Sequence, residues 1–352
     1  MKYLLLAIAA VISASFVTFH NEVKPKAEYV NIGQGQMPNV TTDSKGNIHL
    51  VFGSGDSILY SSSNDQGKSF SNPRLVSVLP NLAASAMRGP QIAASSNGVI
   101  VIACNKDGDI FSYRKANTQD WQLSGKVNDV DTVAKEGLMA LSADGQRAYA
   151  VWLDLRDKHN KIFGARSTDG GKSWSKNVMI YTSPDETVCE CCKPSVELKG
   201  KNVFVMFRNW LNGNRDLYLI TSADEGATFG KEQKLGYGSW PLKGCPMDGG
   251  GLAIHKNGNI QTVWRRETTI YTTAPGKEEI QLGEGRNCTI ESVNGKNVYA
   301  WTLNGEVIIM KPDGAKVSLG KGSLPVLSTA DNDQVICVWT KEKQIQAAVV
   351  RL

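Results

Sequence analysis

The chain has little of what would mark several common protein classes. Its apolar run near the start, Leu4 to about Val17, is shorter than the ~20 residues that cross a bilayer comfortably, which argues against a stable membrane span. No cysteine follows that run, so a lipid-anchored amino terminus is not indicated. Nowhere does a sustained three-to-four-residue apolar period announce a helix. Basic residues outnumber acidic ones by only five, 39 against 34, and are scattered. The basic stripe that nucleic acid requires is missing, so no nucleic-acid partner is expected.

What is present begins with Lys2 ahead of the apolar run and with the small residues Ser13, Ala14 and Ser15. Residues 1–20 therefore read as a secretory signal peptide with cleavage near Ser15, and the mature protein as exported, periplasmic or extracellular. Disulfides persist in that setting, but seven cysteines is an odd number and cannot all pair internally. The remaining length suggests two domains as a prior, although all-β propellers of this size fold as one unit.

One pattern recurs along the chain: a short strand opening after Pro or Gly, a turn with Gly or Asn, a second strand often ending in Val-Trp, a polar loop, then a third strand. It starts at Met37, Arg88, Glu136, Cys192, Cys245, Cys288 and Leu324. Each unit alternates apolar and polar residues, the period of strands. Seven such units predict an all-β fold, a β-propeller with seven blades over residues 27–352, six being the alternative. The last unit has room for only three strands. A strand around residues 27–33 could supply its fourth and close the ring, removing the edges an open sheet would expose.

Three of the links between third and fourth strands share a spelling: "SSNDQGKSF" at 62–70, "STDGGKSW" at 167–174 and "SADEGATF" at 222–229. Asp65, Asp169 and Asp224 can accept backbone hydrogen bonds within the turn, Gly67, Gly171 and Gly226 can take positive φ, and the closing aromatic pins the turn to the sheet. With these turns at blade-scale intervals, the sequence resembles the Asp-box (BNR-repeat) propellers of the sialidase-like superfamily. The resemblance implies the fold; since fold and function separate freely, it does not by itself imply activity. Known sialidases are six-bladed, so a seventh blade would depart from the enzymes.

On a propeller the residues just before each inner strand converge near the axis, on the face opposite these turns. Those positions hold Met37, Met87 with Arg88, Glu136, Cys192 with Lys193, Cys245 with Asp248, Arg286 with Cys288, and Ser323. The second-to-third loops add Asp154, Arg156, Arg208, Arg215, Arg265 and Arg266. An arginine-rich face suits a carboxylate sugar, because guanidinium binds carboxylate two-pronged. Sialidases carry an Arg-Ile-Pro motif, two further arginines, an Asp acid and a Tyr nucleophile. The resemblance carries these roles onto Arg88 of "MRGPQI", where Gly89 replaces the usual Ile, onto Arg208 and Arg265 or Arg266, onto Asp154 (or Asp129 or Asp131) as the acid, and onto Tyr237. Arg156 and Asp248 complete the expected substrate-binding set.

Three of the seven cysteines crowd into "DETVCECCKP", residues 185–194. Cys192, Cys245 and Cys288 take equivalent positions in consecutive units, so Cys189, Cys191, Cys192, Cys245 and Cys288 are expected to share one patch, whereas Cys104 and Cys337 read as buried core. The patch has three readings: disulfides from Cys192 or its neighbours to Cys245 and Cys288, a soft metal (Cu or Zn) held with Met thioethers, or a free thiol. Cys-x-Cys-Cys is not a common zinc signature. Two functions follow. One is a sialidase-type glycoside hydrolase or acidic-glycan binder acting on sialic-acid-like sugars; the alternative is a non-catalytic propeller whose Cys/Met-rich centre binds a soft metal or a protein partner.

Overall fold

The computed structural model describes residues 29–116 and 119–352; the expected signal peptide, residues 1–20, lies outside the described residues. Seven antiparallel four-stranded sheets form the blades of a propeller. Their inner strands are Gln36–Thr42, Gln91–Ser95, Met139–Asp144, Ser195–Lys199, Gly250–Ile254, Arg286–Val293 and Ser323–Asp331 for blades 1 to 7. Each inner strand packs against those of the two adjacent blades, and the last packs against the first, so the ring is closed. Among the described residues there is no helix.

Blade 7 takes its outer strand, Val30–Gln34, from the other end of the chain. Val30 pairs with Ala347 and Asn31 with Gln346 on the third strand, Gln344–Arg351. Ile32 is buried there with Ile336 and Ile345 of blade 7 and Ile48, Leu50 and Phe52 of blade 1.

The core lies between blades. Second strands are buried on both faces, as in Gln334–Lys341, and near their ends each of six blades inserts an aromatic side chain: Phe52, Trp152, Phe207, Trp264, Trp301 and Trp339. Burying such a ring removes a large apolar surface from water, which is why Val-Trp recurs at blade intervals. Cys104 and Cys337 lie on second strands and are buried.

At the inner-strand thresholds the chain turns from the rim of one blade to the axis of the next. Met37, Met87, Gly137, Met247, Asn287 and Leu324 stand there with φ between 48° and 71°. Left-handed backbone at methionine and leucine is sterically unfavourable, and here the surrounding ring enforces it.

The three Ser-Asp-Gly turns have one internal design. Ser63 Oγ donates to Asp65 at 2.7 Å and accepts from Gly67 N at 2.9 Å, and Asp65 accepts from Ser69 N at 3.0 Å. Asp169 and Asp224 repeat this with Ser167 and Ser222. The hydroxyl of Ser69 or Thr228 holds Asp65 or Asp224 well below the usual carboxylate range. Each turn glycine presses on the preceding blade: a Cβ on Gly67 would meet Val349 and Ile336, one on Gly171 would meet Ile100, and one on Gly226 would lie 2.0 Å from the Tyr149 ring. Tyr149 Oη answers by donating to Gly226 O at 3.1 Å.

Candidate functional site

The inner strands enclose an axial cavity of about 390 Å³. Met37, Met87 and Leu324 line it at the thresholds, and Met37, Met247 and Leu324 pack against the buried cluster that holds Met87. Within the cavity seven converging strands leave room mainly for short polar side chains such as Asn39, Ser142, Ser195 and Thr289.

Three carboxyl groups, those of Glu197, Glu291 and the fully buried Asp248, and the Lys193 ammonium interrupt this lining. Glu197 accepts from Ser142 Oγ at 3.0 Å, and Glu291 accepts from Thr329 Oγ1 at 2.8 Å. Protein surrounds both, although each keeps part of its surface against the cavity. Burial, with the charge of Glu291 added, pushes Glu197 up to about 8, and burial pushes Glu291 up to about 7. Lys193 donates to Gln91 Oε1 at 2.7 Å, and burial draws its ammonium down to about 8. Near neutral pH the cavity thus offers a protonated acid, a partner poised between acid and base, and a cation ready to lose its proton. Burial raises both carboxyl groups into the neutral range, where a carboxyl group can act as acid or base.

A second cluster sits beside the cavity between blades 4 and 5. Arg208 and Arg265 each follow the recurring aromatic near the end of their second strands, Asn202–Arg208 and Ile260–Arg266, so the repeat itself brings them together. Arg208 donates to the carbonyls of Arg215 at 2.7 Å and Arg265 at 2.9 Å, and both guanidinium groups lie near the Trp240 ring. Fully buried Asp248 accepts from Asn287 N at 3.0 Å and has Arg265 Nε 2.7 Å away, an ion pair by distance that lacks a hydrogen bond's alignment. Burial raises Asp248 despite the guanidinium. Its Oδ1 and Arg208 Nε have no hydrogen-bond partner in the protein.

Cys189, Cys191, Cys192 and Cys245 meet at the same place, whereas Cys288, expected with them, is buried in the core between blades 5 and 6. Cys191 and Cys245 form a disulfide joining the thresholds of blades 4 and 5, while Cys189, Cys192 and Cys288 are free and buried. The bridge thus uses Cys191 rather than Cys192. Cys189 Sγ lies 3.4 Å from Cys192 Sγ, 3.8 Å from Cys191 Sγ and 3.1 Å from Arg215 Nη1. The Cys189 and Cys192 sulfurs share a hydrogen bond. That hydrogen bond, with Arg208 and Arg215 assisting, brings Cys189 down to about 6 against its burial, whereas burial pushes Cys192 well up.

The other expected site residues lie apart from this centre. Arg88 is paired with Glu136 at 3.0 Å and donates to its carbonyl. Asp154 is fully buried, accepts from Trp152 Nε1 at 2.8 Å and grips Arg156, which also meets Asp129 and stacks on Phe163. That network leaves Asp154 no open side from which to exchange a proton with a ligand. Lys126 engages Asp131. Arg266 is bound to Glu279 and lies over Tyr271, and Tyr237 is 70% exposed on the loop that Glu279 holds by backbone N–H groups. Of the expected site residues, the fold brings together Arg208, Arg265, Asp248, Cys189, Cys191, Cys192 and Cys245. Sequence reasoning passed over Glu197 and Glu291; their signal was a charged residue in the middle of an inner strand, as in "SVELK".

Fold and site together define a seven-bladed β-propeller with a polar axial cavity. No protein-family model matches the chain. The fold is shared with the BP39L lectin of Burkholderia pseudomallei, at a TM-score of 0.66 and 9% identity over 90% of this chain and 96% of the lectin. An α-L-arabinanase of Penicillium chrysogenum, solved with arabinobiose, is similar at a TM-score of 0.54 and 13% identity over 93% of this chain and 99% of the enzyme. A Dyadobacter fermentans protein of unknown function scores 0.52 at 15% identity, over 93% of this chain and 99% of that one. At these identities the likeness speaks for the fold alone, a β-propeller.

Proposed function

We propose that the protein is an exported, glycan-acting propeller that takes a neutral sugar into the axial cavity, with Glu197 and Glu291 as its acid/base pair. The observation that carries this reading is the pair of carboxyl groups in one cavity at about 8 and about 7. Glu197 keeps its proton near neutral pH and can deliver it to a glycosidic oxygen; ionised Glu291 assists attack at the sugar. The cavity's 390 Å³ suits a small ligand unit, since ligand clefts run from roughly 300 to 1,000 Å³. The lectin and the arabinanase lend further support, as does the Cys191–Cys245 bridge for export. No helix among the described residues is long and apolar enough to cross a membrane.

The arginine-rich face favours an acidic sugar when residues are counted along the chain. As folded, each of those guanidinium groups is already engaged by the protein, so none is left free to take a ligand carboxylate two-pronged. A panel of aryl glycosides, neutral furanosides and pyranosides beside a sialoside, tests the proposal. Turnover of a neutral glycoside is expected, highest between about pH 7 and pH 8, and at least about a hundredfold lower in Glu197→Gln. Turnover confined to the sialoside, equal rates in Glu197→Gln, or no turnover of any member would overturn it.

A further inference from the structure

Four sulfur atoms meet where the thresholds of blades 4 and 5 touch. Those of Cys189, Cys191 and Cys192 lie within 4.8 Å of one another, and Cys245 is bonded to Cys191. In a tetrahedral thiolate site with metal–sulfur bonds of about 2.3 Å, the sulfurs stand about 3.8 Å apart. Cys189 is already 3.8 Å from Cys191 and 3.4 Å from Cys192, so opening one bond is the main change needed to arrange all four around an ion. Cys189 and Cys192 are buried, Cys191 is half-buried and Cys245 is exposed, which leaves three ligands fixed by the fold and one on a surface loop.

The surroundings suit an anionic cluster. Four thiolates around a divalent ion carry two excess negative charges. Arg215 donates to Cys189 Sγ at 3.1 Å and to Leu242 O at 3.2 Å, and its guanidinium stacks on Trp210. Arg208 lies alongside, anchored on the Arg215 carbonyl. Groups that hydrogen-bond to the ligands and fix their orientation are the usual outer support of a metal site.

We infer that Cys189, Cys191, Cys192 and Cys245 form a thiolate site for a soft d10 ion, Zn(II) or Cu(I), which opens when the Cys191–Cys245 bridge is reduced. A dithiol or phosphine reductant supplies two electrons and is itself oxidised; the bridge takes up two protons to become two thiols. Binding then releases the thiol protons as the sulfur–metal bonds form. A small-molecule disulfide accepts two electrons from the Cys191 and Cys245 thiolates, takes up two protons and leaves as two thiols, which rejoins the bridge and expels the ion, so bridge and ion exclude each other. This site is independent of the glycan reading and stands or falls separately.

The test uses the full chain, reduced with a phosphine and desalted without air, beside the untreated bridged form. Zn(II) and Cu(I) are titrated separately against chromophoric chelators, with thiol labelling before and after. One ion per reduced chain is expected, shielding the cluster's thiols from the label, with at least about a hundredfold weaker binding to the bridged form. Cys189→Ser and Cys192→Ser should each lose at least about a hundredfold in affinity, Arg215→Ala roughly tenfold, and Cys104→Ser none. Cooperative melting confirms that each variant is folded, and the comparison of reduced with bridged wild type needs no variant. Failure of both ions to bind the reduced wild type stoichiometrically, equal binding to the bridged form, or undiminished affinity in the folded Cys189 and Cys192 variants would overturn the inference.

Discussion

Glu197 and Glu291 retain protons that carboxyl groups in water give up near pH 4.5. Between that pH and about 8 the folded chain therefore binds more protons than the unfolded one, so their contribution to stability falls as pH rises through this window and is unchanged below it. Glu197→Gln removes most of the effect while keeping an acceptor for Ser142. We expect denaturant titration to find the variant more stable than wild type by roughly 1–3 kcal/mol at pH 8 and equal to it near pH 4.5, the contact of the carboxyl with cavity water keeping the gain modest. A variant no more stable at pH 8 would mean that the cavity solvates the carboxylate fully. At this scale the sequence was only partly legible. Convergence of Arg208, Arg265, Asp248, Cys192 and Cys245 followed from their repeat positions, but that of Cys288 did not hold. Partners such as those of Arg88–Glu136 were hidden because such ion pairs join side chains of different blades. Reading "CECC" as Cys-x-Cys-Cys also hid the pair Cys189 and Cys192, whose three-residue separation is the Cys-x-x-Cys spacing common to metal and redox sites.

Among the elements, the Ser-Asp-Gly turns do more than reverse the chain. Their internal hydrogen bonds were readable from the residue types, but the contact of each glycine with the preceding blade was not, since that neighbour is distant in sequence. Two glycines separate these roles. Gly46 and Gly226 have nearly the same φ, 82° and 80°, but a Cβ on Gly46 meets nothing within 4 Å and one on Gly226 strikes the buried ring of Tyr149. Gly46→Ala should cost about 1 kcal/mol, the backbone strain alone, and Gly226→Ala at least about 3 kcal/mol. Urea unfolding of the two variants checks this, and equal losses would show that the turn does not press on blade 3. The left-handed methionines and Leu324 at the thresholds had no local signal either, because nothing in those residue types favours positive φ.

For the whole molecule, the count of seven blades and the closing strand were legible because each rests on periodicity and on the arithmetic of strands per unit. Hydrophobic alternation survives without knowledge of any single contact. Ile32 is the only buried side chain of the closing strand and lies against both blades it joins. Ile32→Ala should lower stability by about 2–4 kcal/mol. If the ring opens first at this seam, most of that loss will appear as faster unfolding, with the refolding rate little changed; stopped-flow kinetics would show the reverse if the seam formed early.

That seam also sets a clock. Asn31 and Gln346 are 315 residues apart in sequence, yet they lie side by side on paired strands. Ring closure must therefore wait for both ends of the propeller to be in hand, and a contact of such long span forms slowly compared with any hairpin inside a blade. Once formed, it makes persistence a matter of rate: a protease or an unfoldase acting on the closed ring is limited by how often one five-residue strand lets go.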